Sequence, residues 1–311
     1  MPPGLARTTP AERRQALREG LASGRLLRFP GAFSPLVART ITEYGFDGVY
    51  VSGAVVAADL ALPDIGLTTL TEVAGRGQQI ARVTDLPVLI DADTGFGEPA
   101  NVSRSITIFE EAGLAGCHLE DQVNPKRCGH LDHKQVVPSA DMLQRIRAAV
   151  LARRDPGFVI CARTDARAVE GLDAAIERAR AYVDAGADLI FPEALQDERE
   201  FAAFREAVDV PLLANMTEFG RSPLLDVATL TDLGYNAVIW PVTTLRAAMG
   251  TVEETLETLR DQGTQRELVD RMQTRARLYE LIDYDAYRAV DQDLVDFEIP
   301  VRPTGPETTG E

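Results

Sequence analysis

An α/β fold of eight strand-and-helix units is the class this sequence predicts, on three observations. Short runs rich in Val, Ile, Leu and Ala alternate with longer amphipathic stretches, the pattern of buried parallel strands joined by crossover helices. A recurrent punctuation, EYGFDGV, EAGLAGC, DAGADLI and DLGYNAV, sets Gly45, Gly113, Gly186 and Gly234 just after amphipathic runs, where a left-handed residue ends a helix. No long composition break interrupts the eight units, which favours one closed (β/α)8 barrel of the TIM type over an open doubly wound sheet.

The strands are expected, in order, at 26–33, 48–53, 87–93, 116–121, 158–164, 189–194, 211–216 and 237–242. After the eighth, TTLRAAMGTVEETLETLRDQG and RELVDRMQTRARLYELI read as two additional C-terminal helices, suited to packing or oligomerisation. The Pro-, Thr- and Gly-rich end lacks an apolar face, so 299–311 is expected to be a mobile tail and 1–8 a mobile lead. Residues 9–298 then form a single domain, which 311 residues can supply around one core.

Composition narrows the function. With 32 basic and 48 acidic residues the formal charge is −16, a field that repels nucleic acid and anionic membranes, so an anionic substrate needs locally clustered arginines. Cys117, Cys128 and Cys161 are sparse and odd in number, which points to a reducing cytoplasm without disulfides. The N-terminus has charges throughout and does not read as a secretory signal, and no stretch supplies the ~20 apolar residues of a membrane span.

Barrel chemistry gathers at the C-terminal ends of strands, and here those ends are polar. They carry Tyr50, Ser52 and Gly53, then Asp91 and Asp93, Glu120 and Asp121, Arg163 and Asp165, Glu193, and Asn215, Thr217 and Glu218, with Arg246 after the eighth. Asp91 and Asp93, two apart on an extended strand, should face the same way and hold one hard cation, Mg²⁺ or Mn²⁺, with Glu120 supporting its bound water. The same carboxylates would also suit the N-terminal region of a helix near Pro99. In KRCGH, residues 126–130, Lys126 and Arg127 flank Cys128, and nearby positive charge makes a thiol a readier proton donor. Cys128, His130 and His133 lack a fourth ligand for zinc. Cys117, His118 and Cys161 fall inside strands and read as core. Arg163, Arg246 and Arg275 are candidate carboxylate clamps.

These motifs, with YVSG, LPDIG, DADTGFG, HLEDQ, ARTDA, FPEA, NMTEFG and MQTR in order, resemble the isocitrate lyase and phosphoenolpyruvate mutase superfamily nearly end to end, and within it the methylisocitrate lyase branch. The resemblance implies substrate contacts from Ser52, Gly53, Ala54, Cys128, Gly129, Arg163, Glu193, Asn215, Met216, Thr217, Arg246 and Arg275, and metal contacts from Asp91 and Asp93. Phe191, Ile239 and Pro241 match an apolar pocket for a substrate methyl. The stretch SGAVVAADLALPD departs from the family, which often has extra glycines there, and this bears on Ala54. The implied reaction is Mg²⁺-dependent cleavage of 2-methylisocitrate to pyruvate and succinate in propionate catabolism, with Tyr50 or a metal-linked carboxylate taking the hydroxyl proton and Cys128 returning one. A homotetramer with C-terminal helices between subunits is also implied. An isocitrate lyase would share this apparatus, and a catalytically silent scaffold is the alternative from another class.

Overall fold

The computed structural model describes residues 3–127, 129 and 134–296. All eight strands lie inside the stretches expected for them: β1 Leu27–Pro30, β2 Val49–Val51, β3 Val88–Asp91, β4 Gly116–Glu120, β5 Val159–Thr164, β6 Leu189–Pro192, β7 Leu213–Asn215 and β8 Ala237–Trp240. Every residue of β2 through β6 is buried, which is why these strands read as continuous apolar runs. The helices are α1 Pro10–Ala22, α2 Pro35–Glu43, α3 Gly53–Asp59, α4 Leu70–Ala81, α5 Pro99–Glu111, α6 Ser139–Ala152, α7 Leu172–Asp184, α8 Glu198–Ala207, α9 Val227–Asp232, α10 Thr243–Gln262, α11 Arg275–Leu281 and α12 Tyr284–Val295. Capping boxes from Thr9 to Glu12 and from Thr69 to Glu72 start α1 and α4. Gly45, Gly113, Gly186 and Gly234 follow the caps of α2, α5, α7 and α9 with φ of 70°, 80°, 106° and 77°, the left-handed turn that the punctuation anticipates.

All strand pairs are parallel. The unbroken ladder expected of a closed barrel is not found. Pairing forms a three-stranded sheet, β1-β8-β7, and a five-stranded sheet, β2-β3-β4-β5-β6. At the seams, isolated parallel bridges join Gly31 to Tyr50 and Ile190 to Leu212. Each seam involves a three-residue strand with a proline beside it, Pro30 or Pro211, and proline has no N–H to give to a ladder.

Side-chain alternation divides the core in two. Leu27, Phe29, Leu89, Val159, Leu213 and Ile239 join one cluster with Tyr50 and Phe191. Their strand neighbours Val51, Ile90, Ile160 and Val238 join another, with helical residues such as Val73, Ile106 and Phe204. Burial at strand ends thus places alternate residues near a common centre, and polar side chains near the top of that set form the site.

Beyond β8 the structure departs from the two-helix expectation. Arg266–Arg271 is a 3-10 turn, Met272 is extended with ψ 148°, and Thr274 caps a new helix, α11, so the predicted second helix is broken in its middle. Helix α12 follows. At the other end, the Ala6 and Thr8 N–H groups donate to the Arg82 carbonyl and Asp85 carboxylate at 2.8 and 2.9 Å. Among the described residues, no helix is long and apolar enough to cross a membrane.

Candidate active site

The C-terminal ends of the strands surround a cavity of about 80 Å³. Of the expected site residues, Tyr50, Ser52, Ala54, Asp91, Gly129, Arg163, Glu193, Asn215, Thr217 and Arg246 line it, and so do Phe191, Ile239 and Pro241. Cys128 lies outside the described residues, as do His130 and His133.

Asp91 and Asp93 do converge, by a different route from the one expected. Strand β3 ends at Asp91, and Asp93 stands past it at φ +46°, so the two are not alternate residues of one extended strand. Asp91 Oδ1 accepts from the Asp93 N–H at 3.0 Å and Oδ2 from the Gly53 N–H at 3.1 Å. A Cβ on Gly53 would sit 3.0 Å from Asp91 Oδ2 and 3.1 Å from Asp93 Oδ1, so both carboxylates meet over that glycine. Glu98, not this pair, caps α5.

Lys126 completes the cluster. Its ammonium, nearly buried, pairs with Asp93 Oδ1 at 2.8 Å and with Asp64. That charge is engaged by two carboxylates of the site. Burial and the adjacent Asp91 push the Asp93 carboxyl up to about 6 against the pull of Lys126. For Asp91 burial also opposes the charge, but His118, Lys126 and Arg163 hold its pKa below the ordinary carboxylate value.

His118, read from the sequence as core, is part of the site. It is fully buried, with Nε2 2.7 Å from the Tyr50 hydroxyl and 3.6 Å from Asp91 Oδ1. Burial lowers its pKa to about 4, and burial with Asp91 raises Tyr50 well above the usual phenol value, so the pair is neutral. The period of a strand puts His118 on the same side as Glu120, a signal that would have found it.

Arg163 is the buried cation of the opposite wall. Its Nε donates to Asp165 Oδ2 at 2.9 Å, its Nη1 lies 3.3 Å from Glu120 and 3.5 Å from Glu193, and its guanidinium stacks 5.2 Å over the Phe191 ring. Asn215 Nδ2 donates to both Glu193 oxygens at 3.3 Å. Burial raises the Glu120 pKa well above normal despite Arg163 and Lys126. At the mouth, Glu218 holds Arg246 through its carbonyl at 2.6 Å and its carboxylate at 3.0 Å.

Two expected contacts fall elsewhere. The Met216 side chain is buried in the outer core, where its sulfur accepts from the Leu225 N–H at 3.2 Å, and Met216 is not among the cavity-lining residues. Arg275 is exposed at the first turn of α11, beyond the cavity lining, because the chain breaks at Met272 and starts a new helix there.

Among the described residues, no group of three or more His, Cys, Asp or Glu side chains forms a metal cage. A Mg²⁺ ion keeps several waters and needs one or two carboxylates, however. Asp91 and Asp93 converge, and the buried Glu120 Oε1 has no hydrogen-bond partner among the described residues, so the donor set fits a hard cation and its water.

Acidic groups around one neutral His–Tyr pair, faced by a buried arginine at parallel strand ends, define an α/β enzyme with a strand-end acid–base site. The chain belongs to the phosphoenolpyruvate phosphomutase family, whose model matches residues 17–260. It is 68% identical over 256 residues to the Corynebacterium glutamicum protein named "Probable 2-methylisocitrate lyase 2", covering 82% of this chain and 83% of that one. Among solved structures it resembles oxaloacetate acetylhydrolase in complex with 3,3-difluorooxalacetate, with TM-score 0.86, 35% identity and coverage of 94% and 100%. It also resembles phosphonopyruvate hydrolase in complex with oxalate and Mg²⁺, with TM-score 0.84, 31% identity and coverage of 93% and 100%.

Proposed function

We propose that this protein is a Mg²⁺-dependent 2-methylisocitrate lyase, cleaving its substrate to pyruvate and succinate in propionate catabolism. The observation that carries the substrate assignment is the apolar wall of Phe191, Ile239 and Pro241 in a cavity otherwise lined mainly by charged and polar groups. Such a wall suits a methyl group flanked by carboxylates. The 68% identity to a protein bearing that activity in its name supports the same reading. A methyl in a hydrophobic pocket discriminates by only ~1 to 3 kcal/mol, so isocitrate is the natural competing substrate.

Asp91 and Asp93 would hold Mg²⁺, which when bound acidifies a substrate hydroxyl and stabilises developing negative charge. Arg163, fixed by three carboxylates and the Phe191 ring, orients one substrate carboxylate, and Arg246 takes another at the mouth. Ser52, Gly53, Ala54, Gly129, Glu193, Asn215 and Thr217 position the rest, with Met216 contributing backbone. The hydroxyl proton passes to Tyr50 as Tyr50 hands its own proton to His118 Nε2 2.7 Å away, leaving an imidazolium beside Asp91. The hydroxyl's electrons form the pyruvate carbonyl as the carbon-carbon bond breaks, and the bond pair passes to the succinate fragment. The Cys128 thiol donates a proton to that carbon, and the proton taken from the hydroxyl balances it.

Three finer features accompany this reading. The two sheets form one closed (β/α)8 barrel, supported by the bridge across each seam. The molecule assembles as a homotetramer in the cytoplasm. Helix α10 supports assembly, because Met249, Val252, Leu256 and Leu259 repeat at alternating three- and four-residue steps and are all exposed.

Steady-state rates with 2-methylisocitrate and isocitrate, in Mg²⁺ and in chelator, test the proposal. Pyruvate should form in Mg²⁺ and exceed glyoxylate formation about tenfold or more in kcat/KM. Faster glyoxylate release would make it an isocitrate lyase, and no product from either would support a silent scaffold.

A further inference from the structure

Lys134 is a buried lysine with no place in the chemistry above. A buried ammonium is costly unless paired and hydrogen-bonded, so its partners show what it holds. There are two. Its Nζ donates to the Gly129 carbonyl and lies 2.8 Å from Asp165 Oδ1, with side-chain exposures of 2% for Lys134 and 0% for Asp165.

Neither partner is passive. Asp165 Oδ1 also accepts from Arg163 Nη2 at 3.1 Å, so one oxygen is shared by the clasp and the substrate-facing arginine. Asp165 is itself fixed, because its N–H donates to Asp121 Oδ1 at 2.8 Å. Gly129 packs directly on the site: a Cβ there would lie 2.7 Å from Glu193 Cγ and collide with the Arg163 guanidinium. Gly129 is bonded to Cys128, so whatever fixes its backbone restricts where the thiol can stand.

We infer that Lys134 is a positioning residue, tying the backbone of Gly129 to the Asp165–Arg163 ion pair and thereby fixing the residue bonded to Cys128 against the substrate arginine. This rests on the lyase reading for its kinetic consequence, but not for the clasp itself. Loss of the ammonium frees the Gly129 carbonyl and leaves Asp165 with Arg163 alone. Misplacement of a reacting group by about 1 Å costs on the order of a hundredfold in rate. The effect should therefore fall on kcat more than on KM.

The test compares wild-type protein with Lys134→Met and Lys134→Arg, by kinetics with 2-methylisocitrate and Mg²⁺ and by hydrogen exchange of the substrate-free protein. Lys134→Met should lose about a hundredfold in kcat with KM changed less than about fivefold. The peptide covering 126–135 should exchange faster while strand peptides match wild type. Lys134→Arg, which keeps the charge, should recover most of both. A Lys134→Met protein with near-wild-type kcat, or with lost kcat and unchanged exchange in 126–135, overturns the proposal. If Lys134→Met does not fold, Lys134→Arg decides: wild-type turnover with a freely exchanging segment overturns the clasp, and protection with turnover upholds it. Absence of turnover in the wild type itself would instead defeat the lyase reading, and the exchange comparison would still judge the clasp.

Discussion

At Gly129 the absence of a side chain is a contact requirement, since the space a methyl would need is filled by Arg163 and Glu193. That close approach sets the residue after Cys128 against the buried cation. Cys117 and Cys161 are fully buried in the core, and burial pushes both thiols far above their ordinary pKa, so neither can substitute as a proton donor. Cys128→Ser should lower kcat by roughly a hundredfold to ten-thousandfold, the range for losing a general acid, and leave KM within a few fold. Steady-state kinetics check this, and a serine variant turning over like wild type would remove the thiol from the mechanism. The convergence of Asp91 and Asp93 was legible from their spacing, although the supposed reason, two residues on one strand, was not the real one. A left-handed residue at Asp93 does the work that alternation was expected to do, and nothing in D-x-D announces that dihedral. His118 was passed over because a histidine within an apolar strand is usually core; its period with Glu120 pointed to it, and its distances to Tyr50 and Asp91 place it.

Strands and helices were the most legible features. Buried parallel strands give unbroken apolar runs, and the glycines after α2, α5, α7 and α9 mark helix ends by a local backbone rule. The C-terminal region was less so, since its helical period runs through Met272, where the chain turns. Helix α10 has no buried residue over its 20-residue length, yet its apolar repeat has the three- and four-residue spacing of an interhelical seam. Fully burying one leucine stabilises by about 1.5 to 3 kcal/mol, so an acidic replacement should weaken association well beyond a surface change. Leu256→Asp is expected to reduce the assembled mass in sedimentation while the far-ultraviolet dichroism stays the same. An unchanged mass would exclude this face as the contact.

For the molecule as a whole, ion pairs join segments distant in sequence. Arg25 and Arg28 pair with Asp47 at 2.8 and 2.9 Å, and Arg14 joins α1 to Asp155 at 2.8 Å. Burial opposes the Asp47 charge, but hydrogen bonds from Arg25 and Arg28 hold its pKa below the usual 3.8, and hydrogen bonding to Arg14 lowers Asp155 likewise. A carboxylate depressed in the folded state contributes stability above its unfolded pKa and loses it as pH falls through the folded value. The stability gap between wild type and Asp47→Asn should accordingly be full at pH 6 and shrink below about pH 4. Denaturant titrations at a series of pH values measure it, and a gap that stayed constant to pH 2 would mean that Asp47 stabilises by something other than its charge. The buried Asp121, whose pKa is raised, contributes in the opposite sense.

What the amino-acid order determined by itself was local: strand positions, helix stops, the carboxylate pair and the arginines at strand ends. These depend on period, on backbone preference and on neighbours a few residues away. Tertiary structure decided the pairings: Lys126 with Asp64 and Asp93, Lys134 with Asp165, His118 with Tyr50, and Arg275 away from the cavity. It also decided that the strand ladder parts at two seams. Such choices follow from which strand ends become neighbours and how far side chains reach across them. Those distances arise only when segments 30 to 70 residues apart are packed together, so no local pattern can carry them.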